Sequence, residues 1–227
     1  MTWKQVFTSS VGKKLVMGLT GISLVLFLIV HVGLNACIWA MDGGEMFNRA
    51  ANFMGSNVIP RIAEVGLFGG IFLHIIQGYL LTLDNKKKRS VGYAVSYADG
   101  SKWYSRSMAL LGTLLLLFFI LHWKQFWIPS RFTGMEEVQL SNGKSVHNLY
   151  LLMKDTFREL WVVIAYVIGC IALGYHLAHG FQSAFRTLGV HNKRYNTMLT
   201  SLGYGFAIIV PLGFAMMPVS FYLGWVN

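Results

Sequence analysis

Five apolar stretches, each long enough to cross a lipid bilayer, constrain this chain more than anything else in its sequence. A membrane-spanning helix needs about 20 mostly apolar residues. Residues 14–40, 61–83, 107–128, 159–182 and 199–225 each supply them. In hydrocarbon every backbone N–H and C=O must be satisfied within the protein, so such stretches cross as helices. The expected fold is an all-α integral membrane protein, a five-transmembrane-helix bundle forming one domain over residues 1–227. Only 12% of the residues are charged, against about 25% in soluble domains. The 24 glycines suit close helix packing in lipid, and Pro211 and Pro218, both in the fifth stretch, are tolerable in a bundle. No internal repeat is evident.

The first stretch follows Lys4, Lys13 and Lys14, as the apolar core of a signal peptide would. At 15–40 it is longer than the roughly 7–15 residues of such a core, so it is expected to stay as a membrane helix. Cys37 and Cys170 both lie inside apolar runs, which excludes a disulfide scaffold. There is no C-x-x-C-H, so any haem is held without covalent attachment.

Charge separates the connections into two groups. The N-terminus, the 84–106 connection and the 183–198 connection hold Lys4, Lys13, Lys14, Lys86, Lys87, Lys88, Arg89, Lys102, Arg106, Arg186, Lys193 and Arg194, but only the acids Asp84 and Asp99. These account for the whole formal charge of +10. The other connections balance seven bases with seven acids. Lys/Arg-rich loops stay cytoplasmic, which places the N-terminus inside and the C-terminus outside, in a multi-pass bacterial cytoplasmic membrane protein. A distribution confined to helix ends argues against nucleic acid. The run 86–89 reads as a topology signal at the headgroups, with docking of a soluble partner as a second use.

Of seven histidines, His147 and His191 fall in connections, and His31, His74, His122, His176 and His179 fall within spans. Ionisable groups inside a membrane are costly and mark function by default. Since successive spans alternate in direction, His31 and His122 share an outer level, while His74 shares an inner level with His176 and His179. At about 1.5 Å rise per residue each lies roughly 10–15 Å from the nearer end of its span. Two levels of paired imidazoles on facing helices suit two stacked b-type haems, each iron taking one nitrogen from either side. His176 and His179 share a helix face, so spacing leaves either as the ligand. Gly33, Gly78, Gly112, Gly174 and Gly180 flank these positions, as room for a flat macrocycle or as ordinary close packing.

At these residues the sequence resembles the di-haem cytochrome b subunit of the succinate dehydrogenase/fumarate reductase family, over nearly the whole chain. The most specific stretches are H-N-L-Y at 147–150 and Y-V-I-G-C-I-A-L-G-Y-H-L-A-H-G-F-Q-S-A-F-R-T-L-G at 166–189. L-F-L-I-V-H-V-G-L-N around His31, E-V-G-L-F-G-G-I-F-L-H ending at His74, and Arg106 with Met108 add to it. The resemblance implies His74 and His176 on the iron of a proximal haem and His31 and His122 on that of a distal haem, with His179 beside the pocket. It implies a flavoprotein subunit with FAD and an iron–sulfur subunit docked on the cytoplasmic face. Electrons then pass between the clusters, the two haems and a quinone, typically menaquinone, in the respiratory chain and tricarboxylic acid cycle, in either direction. This chain is then an enzyme subunit that carries quinone chemistry but no succinate-binding residue.

Quinone chemistry needs a proton acceptor near the distal haem. Glu64 is the candidate at the start of the second span, Glu45 the alternative in the loop, and Asn35 follows His31 by one turn. Competing readings are another bis-histidine membrane cytochrome b, a purely structural anchor, and a histidine-based proton or metal transporter. A transporter relay expects acids at mid-span, and none of the nine acids lies there.

Overall fold

The computed structural model describes residues 2–87, 103–190 and 192–226. Five of its helices are long and apolar enough to cross a membrane: Ser10–Ala40, Val58–Lys87, Met108–Thr133, Leu160–Thr187 and Tyr195–Tyr222. Each contains most of one expected stretch. Large apolar side chains such as Leu26, Val65, Leu117, Ile168 and Ile209 point outward, the surface that a hydrocarbon surrounding favours. Of the charged residues assigned to the basic side, Lys88, Arg89, Lys102 and Asp99 lie outside the described residues, as does His191.

Helix α1 (Trp3–Thr8) precedes α2 (Ser10–Asn35). The Ser9 hydroxyl accepts the Gly12 N–H at 3.0 Å and fixes where α2 starts. A 3-10 turn (Ala36–Ala40) then leads to α3 (Glu45–Ser56) and α4 (Val58–Lys87). α4 begins before residue 61 because Pro60 sits in its first turn, where a missing N–H is harmless. Helix α5 (Trp103–Arg106) is followed by α6 (Met108–His122). Beyond His122 the helix continues through two π-helical turns, Trp123–Trp127 and Pro129–Thr133, past the expected end at 128. Strands β1 (Glu137–Gln139) and β2 (Ser145–His147) pair antiparallel, and α7 (Leu149–Thr156), α8 (Leu160–Thr187) and α9 (Lys193–Tyr222) complete the chain. α9 stops short of residue 225 because Gly224 turns left-handed at φ +70°. The Trp225 N–H then reaches the Ser220 carbonyl at 2.8 Å, the 6→1 closure of a helix C-terminus.

α8 packs most extensively on α9 and also against α6 and α2, while α2 packs on α4. Lys13, at the start of α2, donates to Asp84, near the end of α4, at 2.6 Å, so those two termini share one end of the bundle. The other end carries a small cap that the stretches did not foretell. Its core joins Ile38, Phe47, Tyr150, Met153 and Phe157 to Phe221 and Val226. Asn48, 2% exposed, donates to Asn148 Oδ1 at 3.0 Å and accepts the Tyr150 N–H at 2.9 Å. The β1–β2 hairpin in this cap is the one departure from all-α among the described residues.

The helix runs unbroken through Pro211 and Pro218. Pro211 has no N–H for the Ala207 carbonyl, and that oxygen faces Gly174 on α8, where a Cβ would stand 3.0 Å away. Gly174 is therefore a close-packing residue.

Candidate functional site

Two couples of imidazoles occupy two levels of the bundle. Near the cap, His31 on α2 meets His122 at the end of α6, with ring centroids 5.9 Å apart and planes at 86°. Toward the Lys13–Asp84 end, His74 on α4 meets His176 on α8 at 6.1 Å and 62°. The ring that meets His74 is thus that of His176, and His179 sits half-buried one turn further along α8. His147 is exposed on β2.

Each couple is polar chemistry set among apolar side chains. Phe27 stacks on His31 at 5.0 Å and Phe214 on α9 lies 5.4 Å from it. Phe118 stacks on His122 at 5.6 Å, and Phe126 and Tyr166 complete its surroundings. All four histidines are partly buried.

Hydrogen bonds at Nδ1 differ from ring to ring. The Tyr166 hydroxyl donates to Gln125 Oε1 at 2.9 Å and lies 3.3 Å from His122 Nδ1. The Thr20 hydroxyl donates to the Val16 carbonyl at 2.7 Å and lies 3.1 Å from His74 Nδ1. Asn35 is held by the His31 carbonyl, 2.8 Å from its Nδ2, and that amide nitrogen, which donates and does not accept, is 3.4 Å from His31 Nδ1. His176 Nδ1 is buried without a hydrogen-bond partner among the described residues. Buried polar atoms are nearly always satisfied, so such an orphan calls for a functional explanation.

These residues fit a haem iron in three respects. A metal–imidazole nitrogen bond is about 2 Å, which places two rings on opposite sides of one ion with centroids about 6 Å apart. Both couples have that spacing, and rings sharing one axis may be turned about it by any angle. The donor type is also right, since imidazole nitrogen is a ligand of haem iron. Two axial donors suffice for an iron whose other four ligands come from a macrocycle. Finally, of the five flanking glycines, Gly33, Gly112 and Gly180 face open space, while Gly78 meets Met17 and Gly174 meets α9.

Glu64 lies at the cap end of α4. Its carboxylate accepts the Trp127 indole N–H at 2.6 Å, Arg61 at 2.6 Å and the Arg131 guanidinium at 3.2 and 3.3 Å. The π-helical turns set Trp127 and Arg131, four residues apart, on the side facing α4. Trp123 and Trp127 flank Phe68 of α4 at 5.2 and 4.9 Å, closing the same seam. Glu45 is outside the spans, accepting from Ser141 and Arg49, which hold its carboxyl below its ordinary value.

Sequence reasoning passed over Thr20, Tyr166 and Gln125. The signal was there: a polar side chain inside a span seeks a partner across the bundle. No protein-family model, curated protein or solved structure shows a significant match to this chain.

Proposed function

We propose that this chain is the membrane anchor and electron-transfer subunit of a succinate dehydrogenase/fumarate reductase, with two b-type haems between an iron–sulfur subunit and a membrane quinone, of the menaquinone class. The observation that carries this reading is the pair of imidazole couples, 5.9 and 6.1 Å between centroids, at two levels of a helical bundle. His74 and His176 would hold the proximal iron, and His31 and His122 the distal iron. When bound, the haems supply one-electron carriage across the bundle.

The chain's own residues do the rest. Phe27, Phe118, Phe126 and Phe214 exclude water from the distal couple and lower the local dielectric. Lys14, Lys86, Lys87, Arg106 and Arg186 offer a basic end to a soluble iron–sulfur subunit and its flavoprotein partner, which keeps the FAD and all succinate chemistry. That end faces the cytoplasm of a bacterium in this reading. At the cap end, Glu64 would take up a proton when quinol is oxidised, by giving up its Arg131 pair, and would return it when quinone is reduced.

Purified from native membranes, the chain should carry two haems by pyridine haemochrome assay, together with a flavoprotein and an iron–sulfur protein. His74→Ala and His122→Ala should each reduce the content to one, and His74→Ala should abolish electron flow from succinate to quinone. A wild-type chain free of haem would overturn the reading. Two haems with a different soluble partner would move it to another bis-histidine cytochrome b.

A further inference from the structure

We infer that Tyr166 and Thr20 are positioning residues, each fixing the tautomer of one imidazole in a couple and tuning the iron it holds. This rests on the proposal that the couples ligate haem. A phenol has one proton, and Tyr166 gives it to Gln125 Oε1 at 2.9 Å. Its oxygen can therefore act on His122 Nδ1, 3.3 Å away, only as an acceptor. That requires the proton on Nδ1 and leaves the Nε2 lone pair for a metal. Thr20 repeats the logic with different chemistry. Its hydroxyl proton goes to the Val16 carbonyl at 2.7 Å, so its oxygen accepts from His74 Nδ1 at 3.1 Å. An acceptor on the far nitrogen orients a ligating imidazole and raises its basicity.

The arrangement is one-sided in both couples. Among the described residues the partner imidazoles, His31 and His176, show no acceptor at Nδ1: His31 Nδ1 meets an amide nitrogen, a donor, at 3.4 Å, and His176 Nδ1 is buried without a partner. Each couple thus has an acceptor at Nδ1 of one ring and, among the described residues, none at Nδ1 of the other. Tyr166 is well placed to hold its ring. It is 6% exposed and caged by Phe118, Phe157 and Phe126 at 5.0, 5.0 and 6.2 Å.

A more basic imidazole favours oxidised iron, so losing the acceptor should raise the midpoint potential of that haem alone. Loss of such a partner weakens ligation by about tenfold or more. If the oxidised state bears a tenfold share, the shift is about 59 mV for a one-electron couple. The test is a redox titration of the purified holo-complex, with haem content and low-temperature EPR of each ferric centre. Tyr166→Phe should retain both haems and move only the distal potential and its g-values. Thr20→Val should move only the proximal ones, and Thr20→Ser should restore them. Unchanged potentials in both variants at full haem content would overturn the inference while leaving the proposed function standing. So would equal movement of both haems in either variant. A wild-type complex without haem would end both. Should Tyr166→Phe fail to assemble, Gln125→Leu lets the Tyr166 proton turn toward His122, and the distal potential should again shift.

Discussion

Individual residues decide how close the helices come, and the glycines show it most directly. Gly169 on α8 lies beneath Phe118, whose Cδ2 would be 2.6 Å from an added Cβ. Phe118 is in turn stacked on His122. Gly169→Ala must therefore push an aromatic ring that has an imidazole behind it. Overpacking of this kind costs about 1–3 kcal/mol, and its effect should reach His122. Thermal unfolding in detergent should show a lowered midpoint, and if the couples hold haem as proposed, the spectrum of the haem at His122 should be perturbed and that of the other unaltered. Gly66→Ala on α4 is the contrast, since nothing stands within 4 Å of its missing Cβ and it is not among the glycines that flank the histidines. A helical glycine replaced by alanine in open space should leave stability unchanged or raise it by under about 1 kcal/mol. Equal losses in the two variants would show that crowding on Phe118 is not what Gly169 prevents.

Elements hold the cap and the spans together by different means, and the cap is the part that responds to pH. Glu45, at the start of α3, accepts the Ser141 hydroxyl and the Ser141 N–H, the latter at 3.2 Å, and so ties the β1–β2 turn to α3. Ser141 and Arg49 depress its pKa below the ordinary 4.5. A depressed carboxylate stabilises the fold above its unfolded pKa and loses that contribution as pH falls through the lower folded value. Exchange of the Ser141 amide, corrected for intrinsic rate, should quicken only below about pH 4.5. Glu45→Gln should quicken it at neutral pH, whereas protection indifferent to both changes would separate Glu45 from the docking of the turn. The five spans were legible beforehand because length and hydropathy belong to the sequence alone, and the partner of His31 because alternating direction makes depth readable, whereas for His74 depth left His176 and His179 open, since residues three apart on one helix face share a level. The cap was not. Its strands are three residues long and depend on the Asn48–Asn148 contact across 100 positions. Only Asn142–Gly143, a turn pair with Gly143 at φ +79°, announced the hairpin. The π-helical turns were equally hidden, because what favours them is the reach of Trp127 and Arg131 to Glu64 on another helix.

At the scale of the whole molecule, the bundle has two unlike ends, and the difference predicts how it sits in a membrane. The Lys13–Asp84 end gathers Lys14, Lys86, Lys87, Arg106 and Arg186, with a single described acid, Asp84, held by Lys13. The cap end balances its charges locally, Glu45 with Arg49, Glu64 with Arg61 and Arg131, Asp155 with Arg158. Insertion keeps unbalanced Lys and Arg on the cytoplasmic side, whereas paired charges on short loops give little bias. On that rule the His74–His176 couple should lie nearer the cytoplasm, where the proposed soluble partner would dock, and the His31–His122 couple with Glu64 nearer the outside. Cysteine labelling tests this directly. With Cys37 and Cys170 replaced by alanine, Ser141→Cys on the hairpin and Lys87→Cys at the basic end report the two faces. A membrane-impermeant maleimide applied to intact spheroplasts should label position 141 and spare 87, and inverted vesicles should reverse the pattern. Labelling of 87 from outside would turn the molecule over and put the basic end out of reach of a cytoplasmic flavoprotein and iron–sulfur pair. The proposed direction of electron entry would then fail even if both couples still held haem.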